Sequence, residues 1–238
     1  MATLNLSSIA MAKQDQTKVI SAKDLGQLSL KDFCPRCFWF ERHNGKPPQI
    51  FPGIFSTLDS LTKRSVRRSF ATHSRHPDWL PFVDIKRPMD VKRIQFPTEH
   101  GGWILSGVPD DVFELVDGTF FIVDYKTAKY TSNSDKLLPI YRVQLNAYAY
   151  SLPYQGIKPV SRLALVYCEP NGDLDDDSDF RLTFTINSHD ILLDTSEIPR
   201  LLLKAREILN SKNPPPPYPE CKNICAWVER IYKNGHLA

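Results

Sequence analysis

Two short runs near the middle of the chain carry residues able to do chemistry. One holds Asp110 and Asp111, the other Asp124 and Lys126. Both runs continue in β-branched and aromatic residues, and Asp117-Gly118 between them is a strong hairpin signal. Side chains alternate faces along a strand, so Phe120, Ile122, Asp124 and Lys126 share one face and Phe121, Val123 and Tyr125 the other. A carboxylate and an ammonium thus stand side by side at the end of an apolar strand, where burying either alone is costly. A two-residue Asp117-Gly118 loop sets Asp111 opposite Asp124. A three-residue loop from Val116, with Gly118 as a left-handed bulge residue, sets Asp110 there instead. Both loops suit these residues. In either, two carboxylates converge beside Lys126 and repel each other unless a cation lies between them. Oxygen-only donors suit Mg²⁺ or Mn²⁺. The plainer reading is an exposed hairpin with ordinary surface charges, because an isolated Asp-x-Lys triplet is common.

The context narrows the choice. Tyr141 to Tyr148 reads as a helix with Gln144 and Tyr148 on one face. Gly107-x-x-Asp110, Asp124-Tyr125-Lys126 and Gln144-x-x-x-Tyr148 together resemble the motifs of the PD-(D/E)XK nuclease superfamily, nearest its RecB-like exonuclease branch, which includes the CRISPR-associated spacer-acquisition nucleases. The resemblance implies a divalent-metal-dependent deoxyribonuclease acting in DNA repair, recombination or defence. By the family pattern Asp110 is the first metal ligand, Asp124 the second and Lys126 the catalytic lysine, while Gln144 and Tyr148 position the DNA strand. That pattern favours the three-residue loop. RecB-like relatives also present a His or an acid from an N-terminal helix, a role that would fall to Asp59, for which a helix-surface acid is the plain alternative. Lys63, Arg64, Arg67 and Arg68 extend the same helix and read either as a solvated face or as phosphate contacts. DNA, single- or double-stranded, is the implied partner, with helicases or other DNA-processing proteins beside it. The rival function is a nuclease-like module that grips DNA or a protein without cutting.

The five cysteines do not form a secreted disulfide framework. Cys34 and Cys37 make a C-x₂-C pair, Cys221 and Cys225 a C-x₃-C pair, and Cys168 sits alone in an apolar run. If the two pairs meet, four thiolates can close a Zn²⁺ site or hold a 4Fe-4S iron–sulfur cluster, stapling the C-terminal segment to the N-terminal helix. Iron–sulfur clusters occur in several RecB-like relatives, usually with one N-terminal cysteine and three C-terminal ones. The two-plus-two arrangement here departs from that.

These residues need a scaffold, and 238 residues at 42% hydrophobic and 24% charged suffice for one domain with a sizeable core. The net charge of +3 does not by itself announce nucleic acid. No apolar run reaches membrane-spanning length and no signal peptide is legible, so a cytoplasmic protein is expected. The pattern predicts an α/β domain, with a mixed central sheet flanked by helices around a restriction-endonuclease-like core. Residues 1–25 read as loosely ordered, 26–212 as the nuclease domain, and 213–238 as a Pro-rich linker with a cysteine segment packing on the N-terminal helix. Ser29 is a candidate cap for a short helix. Further helices are expected from Pro35 to Asn44, Phe55 to Phe70 (with Phe55, Leu58, Leu61 and Val66 inward) and Asp194 to Leu209. Pro77 to Pro88 reads as irregular. Strands are expected over Val91–Phe96, Trp103–Val108, Arg162–Tyr167 and Phe180–Ile186.

Overall fold

The structure is a computed structural model that describes residues 18–46, 52–173, 178 and 180–226. Its centre is a five-stranded sheet of β2 (Ile85–Pro88), β5 (Asp111–Leu115), β6 (Phe120–Lys126), β7 (Val160–Pro170) and β8 (Phe184–Ile191), adjacent in that order. Only the β6–β7 step is parallel, and helix α4 (Leu138–Ser151) makes the connection. An inner strand covered on both faces needs a continuous apolar run, and Leu163 to Tyr167 of β7 supply one. A smaller sheet sets β4 (Ile104–Gly107) between β1 (Val19–Ser21) and β3 (Ile94–Pro97). Further helices among the described residues are α1 (Ala22–Gln27), α2 (Pro35–Asn44), α3 (Gly53–His73) and α5 (Glu197–Asn210). The architecture is thus mixed α/β, a mixed central sheet with helices on both faces.

Two apolar clusters sandwich that sheet. Ile122, Val112 and Leu165 pack with α4, α1, α5 and the small sheet. Phe121, Val123 and Tyr125 pack on the opposite face with Val66 of α3 and with Leu80 and Phe82. The alternation along β6 is therefore the one its sequence predicts.

The hairpin closes through three residues. Leu115 N–H donates to Thr119 O (2.8 Å) and Gly118 N–H to Leu115 O (3.0 Å). Gly118 takes φ +82°, where a side chain would be strained. Asp117 Oδ1 accepts from both the N–H and the hydroxyl of Thr119 at 2.9 and 2.8 Å, fixing the turn from within. Glu114 then pairs with Phe120 and Asp111 with Val123.

Several expected elements differ. The described end of the run expected to be loose falls in β1 and α1, with Ile20 and Leu25 fully buried. Ser21 caps α1 by accepting from Asp24 N–H (2.9 Å), whereas Ser29 lies beyond the helix and donates to Gly26 O. Ile85–Pro88, expected to be irregular, is an edge strand, the setting where Pro88 is tolerated. β3 and β4 form their own sheet with β1, separate from the central one. β8 begins at Phe184, and Phe180 is exposed. In α3 only Val66 is fully buried, while Phe55 and Leu61 are exposed. The C-terminal cysteine segment is described only to Ala226, and Trp227 and Ile231 lie outside the described residues.

Candidate active site and cysteine centre

The hairpin register builds the site. One step beyond the Asp111–Val123 pair, Asp110 stands across from Asp124, on the face that carries Lys126. Asp110 Oδ2 accepts the Tyr125 N–H at 2.9 Å, and Asp110 Oδ1 lies 2.7 Å from Lys63 Nζ. Lys63, from α3, also touches Asp59 Oδ2 at 2.8 Å. Asp124 is buried, and Lys126 Nζ pairs with its Oδ2. The ammonium of Lys126 sits 4.2 Å from the centre of the Tyr141 ring, a cation–π seat that restrains it.

Helix α4 closes the site from above. Gln144 Nε2 donates to Asp124 Oδ1 (3.2 Å) and to the Tyr148 hydroxyl (3.0 Å), and Tyr148 in turn donates to Val108 O (3.3 Å). Gly107 makes the approach possible, because a Cβ there would lie 2.4 Å from Tyr148 Cε1. The glycine of the Gly107-x-x-Asp110 motif and the tyrosine of the helix motif are thus packing partners.

Burial and charge oppose each other at both members of the pair. Burial pushes the Asp124 carboxyl up to about 6, a rise that Lys126 opposes and Asp110 reinforces. Burial alone would lower Lys126, but the attraction of Asp124 outweighs it and holds the ammonium above its ordinary range. Asp124 sits deeper than Lys126, so burial wins at the carboxylate and attraction at the ammonium. Lys63 behaves like Lys126: burial opposes its charge, and Asp110 and Asp59 more than offset it. Burial also pushes the Tyr148 phenol up to about 12, so it stays a neutral donor.

The donor set fits a hard divalent cation. Both facing groups are carboxylates, each already drawing an ammonium, and Gln144 Oε1 beside them is a buried acceptor with no hydrogen-bond partner among the described residues. Asp59 joins this site through Lys63. Among the described residues, the oxygens of Asp59, Asp110 and Asp124 do not form a converging group of three.

Asp111 has a different task. Its side chain is wholly enclosed on the opposite face, 2.8 Å from Arg67 and accepting from the Tyr125 hydroxyl at 2.9 Å. Burial raises its pKa against the pull of Arg67 and Tyr125. Arg67 also pairs with Asp90 (3.3 Å) and donates to Met89 O (3.1 Å), which makes it a brace between α3 and the sheet. Of the basic residues expected to meet phosphate, Lys63 and Arg67 are therefore engaged internally. Arg64 is exposed and borders, with Arg68 and Trp79, a groove of about 810 Å³. The brace and the Tyr141 seat were missed from sequence. Tyr141 lay within reach, three residues before Gln144 on the same helical face.

The two cysteine pairs meet. Cys34 Sγ lies 3.6 Å from Cys225 Sγ, and Cys37 Sγ lies 3.3 and 3.5 Å from those of Cys221 and Cys225. All four sulfurs lie within 4.8 Å of one another, consistent with a metal site that joins the N- and C-terminal regions. Pro35 starts α2 immediately after Cys34, placing Cys37 in its first turn. The Pro-rich segment docks alongside, where Arg36 Nε donates to Pro215 O (2.8 Å) and Trp39 Nε1 to Ser211 O (3.0 Å). Burial raises Cys34, but hydrogen bonds from the Tyr218 and Cys37 backbones outweigh it and leave the thiol at about 7. Burial pushes Cys225 up to about 12 and raises Cys37 as well. A cation is what would hold such buried sulfurs as thiolates. Zinc–sulfur bonds of about 2.3 Å imply tetrahedral edges of about 3.8 Å, close to the observed spacing. Cys168 is remote from this group and packs in the core beneath α3.

Comparison with known proteins identifies the family. The family model for the PD-(D/E)XK nuclease superfamily matches residues 38–230. The chain belongs to the PD-(D/E)XK nuclease superfamily. No curated protein matches it. Among solved structures it is similar to "Crystal structure of SSO0001", with 14% identity, TM-score 0.42, and 86% of this chain and 88% of that one covered. It is also similar to "Crystal Structure of LHK-Exo in complex with dAMP", with 11% identity, TM-score 0.41, and 95% and 97% covered. No described helix is long and apolar enough to cross a membrane.

Proposed function

We propose that the protein is a divalent-metal-dependent deoxyribonuclease of the RecB-like kind, acting in DNA repair, recombination or defence. The observation that carries this reading is the hairpin register: it brings Asp110 and Asp124 face to face with Lys126 on the same side. Asp110 and Asp124 would hold Mg²⁺ or Mn²⁺, which would supply an acidified water and offset charge on the scissile phosphate. Lys126 stays an ammonium at neutral pH, so its role is to stabilise charge developing on the phosphate. Gln144 holds Asp124 in place and, with Tyr148, fixes the helix over the strand end. The exposed guanidinium groups of Arg64 and Arg68 on α3 are the ones open to the DNA backbone. Apart from this site, the cysteine centre would hold a single Zn²⁺, whose tetrahedral sulfur spacing the four thiols match.

The test is cleavage of labelled single- and double-stranded DNA with Mg²⁺ or Mn²⁺, with and without a chelator. Chelator-sensitive cleavage is expected. DNA binding without cleavage under any of these conditions would favour the non-cutting module instead.

A further inference from the structure

The two site carboxylates are held alike. Each gives one oxygen to a neutral N–H donor, Asp110 to the Tyr125 backbone and Asp124 to Gln144. Each gives the other to an ammonium, Asp110 to Lys63 and Asp124 to Lys126. The two lysines differ in one respect. Lys126 has no second carboxylate at ion-pair distance among the described residues, whereas Lys63 has Asp59, one helical turn away at 2.8 Å. The helix carrying Lys63 is fixed, because Arg67 one turn further on is pinned to the enclosed Asp111 and Val66 is fully buried. Lys63 thus bridges Asp110 and Asp59 at once, and losing Asp110 would leave it on Asp59 alone.

We infer that Lys63 is an internal counter-ion of the acidic pair, occupying Asp110 Oδ1 until a divalent cation takes that oxygen, and that Asp59 is the seat to which it withdraws. This rests on the proposal that Asp110 is a metal ligand. It makes Lys63 a positioning residue, and it gives Asp59 a purpose other than ligation: Asp59 stabilises the ammonium once Asp110 is occupied. The arrangement keeps the facing carboxylates from repelling each other in the metal-free protein, at the cost of competition with the metal.

The test measures Mn²⁺ binding to the full chain by titration calorimetry without nucleic acid, together with melting in divalent-free buffer. Lys63→Met should tighten Mn²⁺ binding about ten- to a hundredfold, the worth of one hydrogen bond to a charged group, while lowering the metal-free melting temperature. Asp59→Asn should weaken Mn²⁺ binding, and that loss should vanish in the Lys63→Met background. Unchanged or weaker binding in Lys63→Met overturns the inference. So does an Asp59→Asn loss that persists without Lys63, because Asp59 would then be a ligand itself. Asp110→Asn separates the two levels. If it leaves Mn²⁺ binding intact, the metal-site reading fails; if it abolishes binding while Lys63→Met has no effect, only the counter-ion inference fails.

Discussion

Gly107→Ala offers a test whose size can be worked out from contacts alone. Gly107 does not adopt a positive φ, so alanine suits its backbone, and any cost must come from the side chain. The added Cβ would lie 2.4 Å from Cε1, 3.2 Å from Cζ and 3.3 Å from the hydroxyl of Tyr148. Carbon atoms rest at about 3.5–4.0 Å, so the ring must move by roughly 1 Å. Tyr148 is only 4% exposed, and that space is already filled. Overpacking of this kind costs about 1–3 kcal/mol. The displaced hydroxyl also loses its bonds to Gln144 and Val108, adding about 1 kcal/mol. A total of about 2–4 kcal/mol should lower the melting temperature by about 4–16 °C in a chain of this size. Urea titration should show an earlier midpoint at unchanged slope. In a Tyr148→Leu background, which removes the clashing edge, the same Gly107→Ala change should cost less than about 0.5 kcal/mol. In Tyr148→Phe, which keeps that edge, most of the cost should remain. An equal loss in the leucine and phenylalanine backgrounds would refute the argument.

Arg67→Met should destabilise toward the lower end of about 3–5 kcal/mol by stranding the enclosed Asp111, because Arg67 itself is partly exposed; adding Asp111→Leu should recover much of the loss in urea titrations. Asp124 has a folded pKa near 6, above its unfolded value of about 3.9, so its contribution to metal-free stability is full below pH 4 and is lost as pH rises through 6. The melting temperature of Asp124→Asn minus that of wild type, in divalent-free buffer, should therefore climb between pH 4 and pH 7, and a flat difference would count against the buried charge. Cys225→Ser should release bound zinc, read by elemental analysis, and expose the chain after Pro217 to protease; full metal content in the variant would remove Cys225 from the site.

Much of the site was legible because strands have a period of two. Once a two- or three-residue turn was considered, the face shared by Asp124 and Lys126 followed from β6 alone. The choice between Asp110 and Asp111 did not, because Asp117-Gly118 suits either loop; the backbone settled it through the Leu115–Thr119 pairing and the left-handed Gly118. The cysteine pairs were legible from spacing, but their convergence depends on the Pro-rich segment lying along α2, a contact made by Arg36 and Trp39 at long sequence separation. β1 was missed because a three-residue strand has too little length for a pattern, and its order comes from pairing with β4. In α3, hydrophobic periodicity suggested a buried face. The helix instead touches the sheet through Val66, Phe70 and the Arg67–Asp111 pair, and the polar part of that anchoring leaves no periodic signal.

The most direct measurement of the central claim is the Mg²⁺-dependent rate of DNA cleavage by wild-type protein and by Lys126→Met. That change keeps an unbranched side chain of similar length and removes the ammonium with its seat on Tyr141. With the variant shown folded by circular dichroism, the account predicts chelator-sensitive cleavage by wild type and a loss of about a hundredfold or more in the variant. Cleavage by Lys126→Met at the wild-type rate would contradict it.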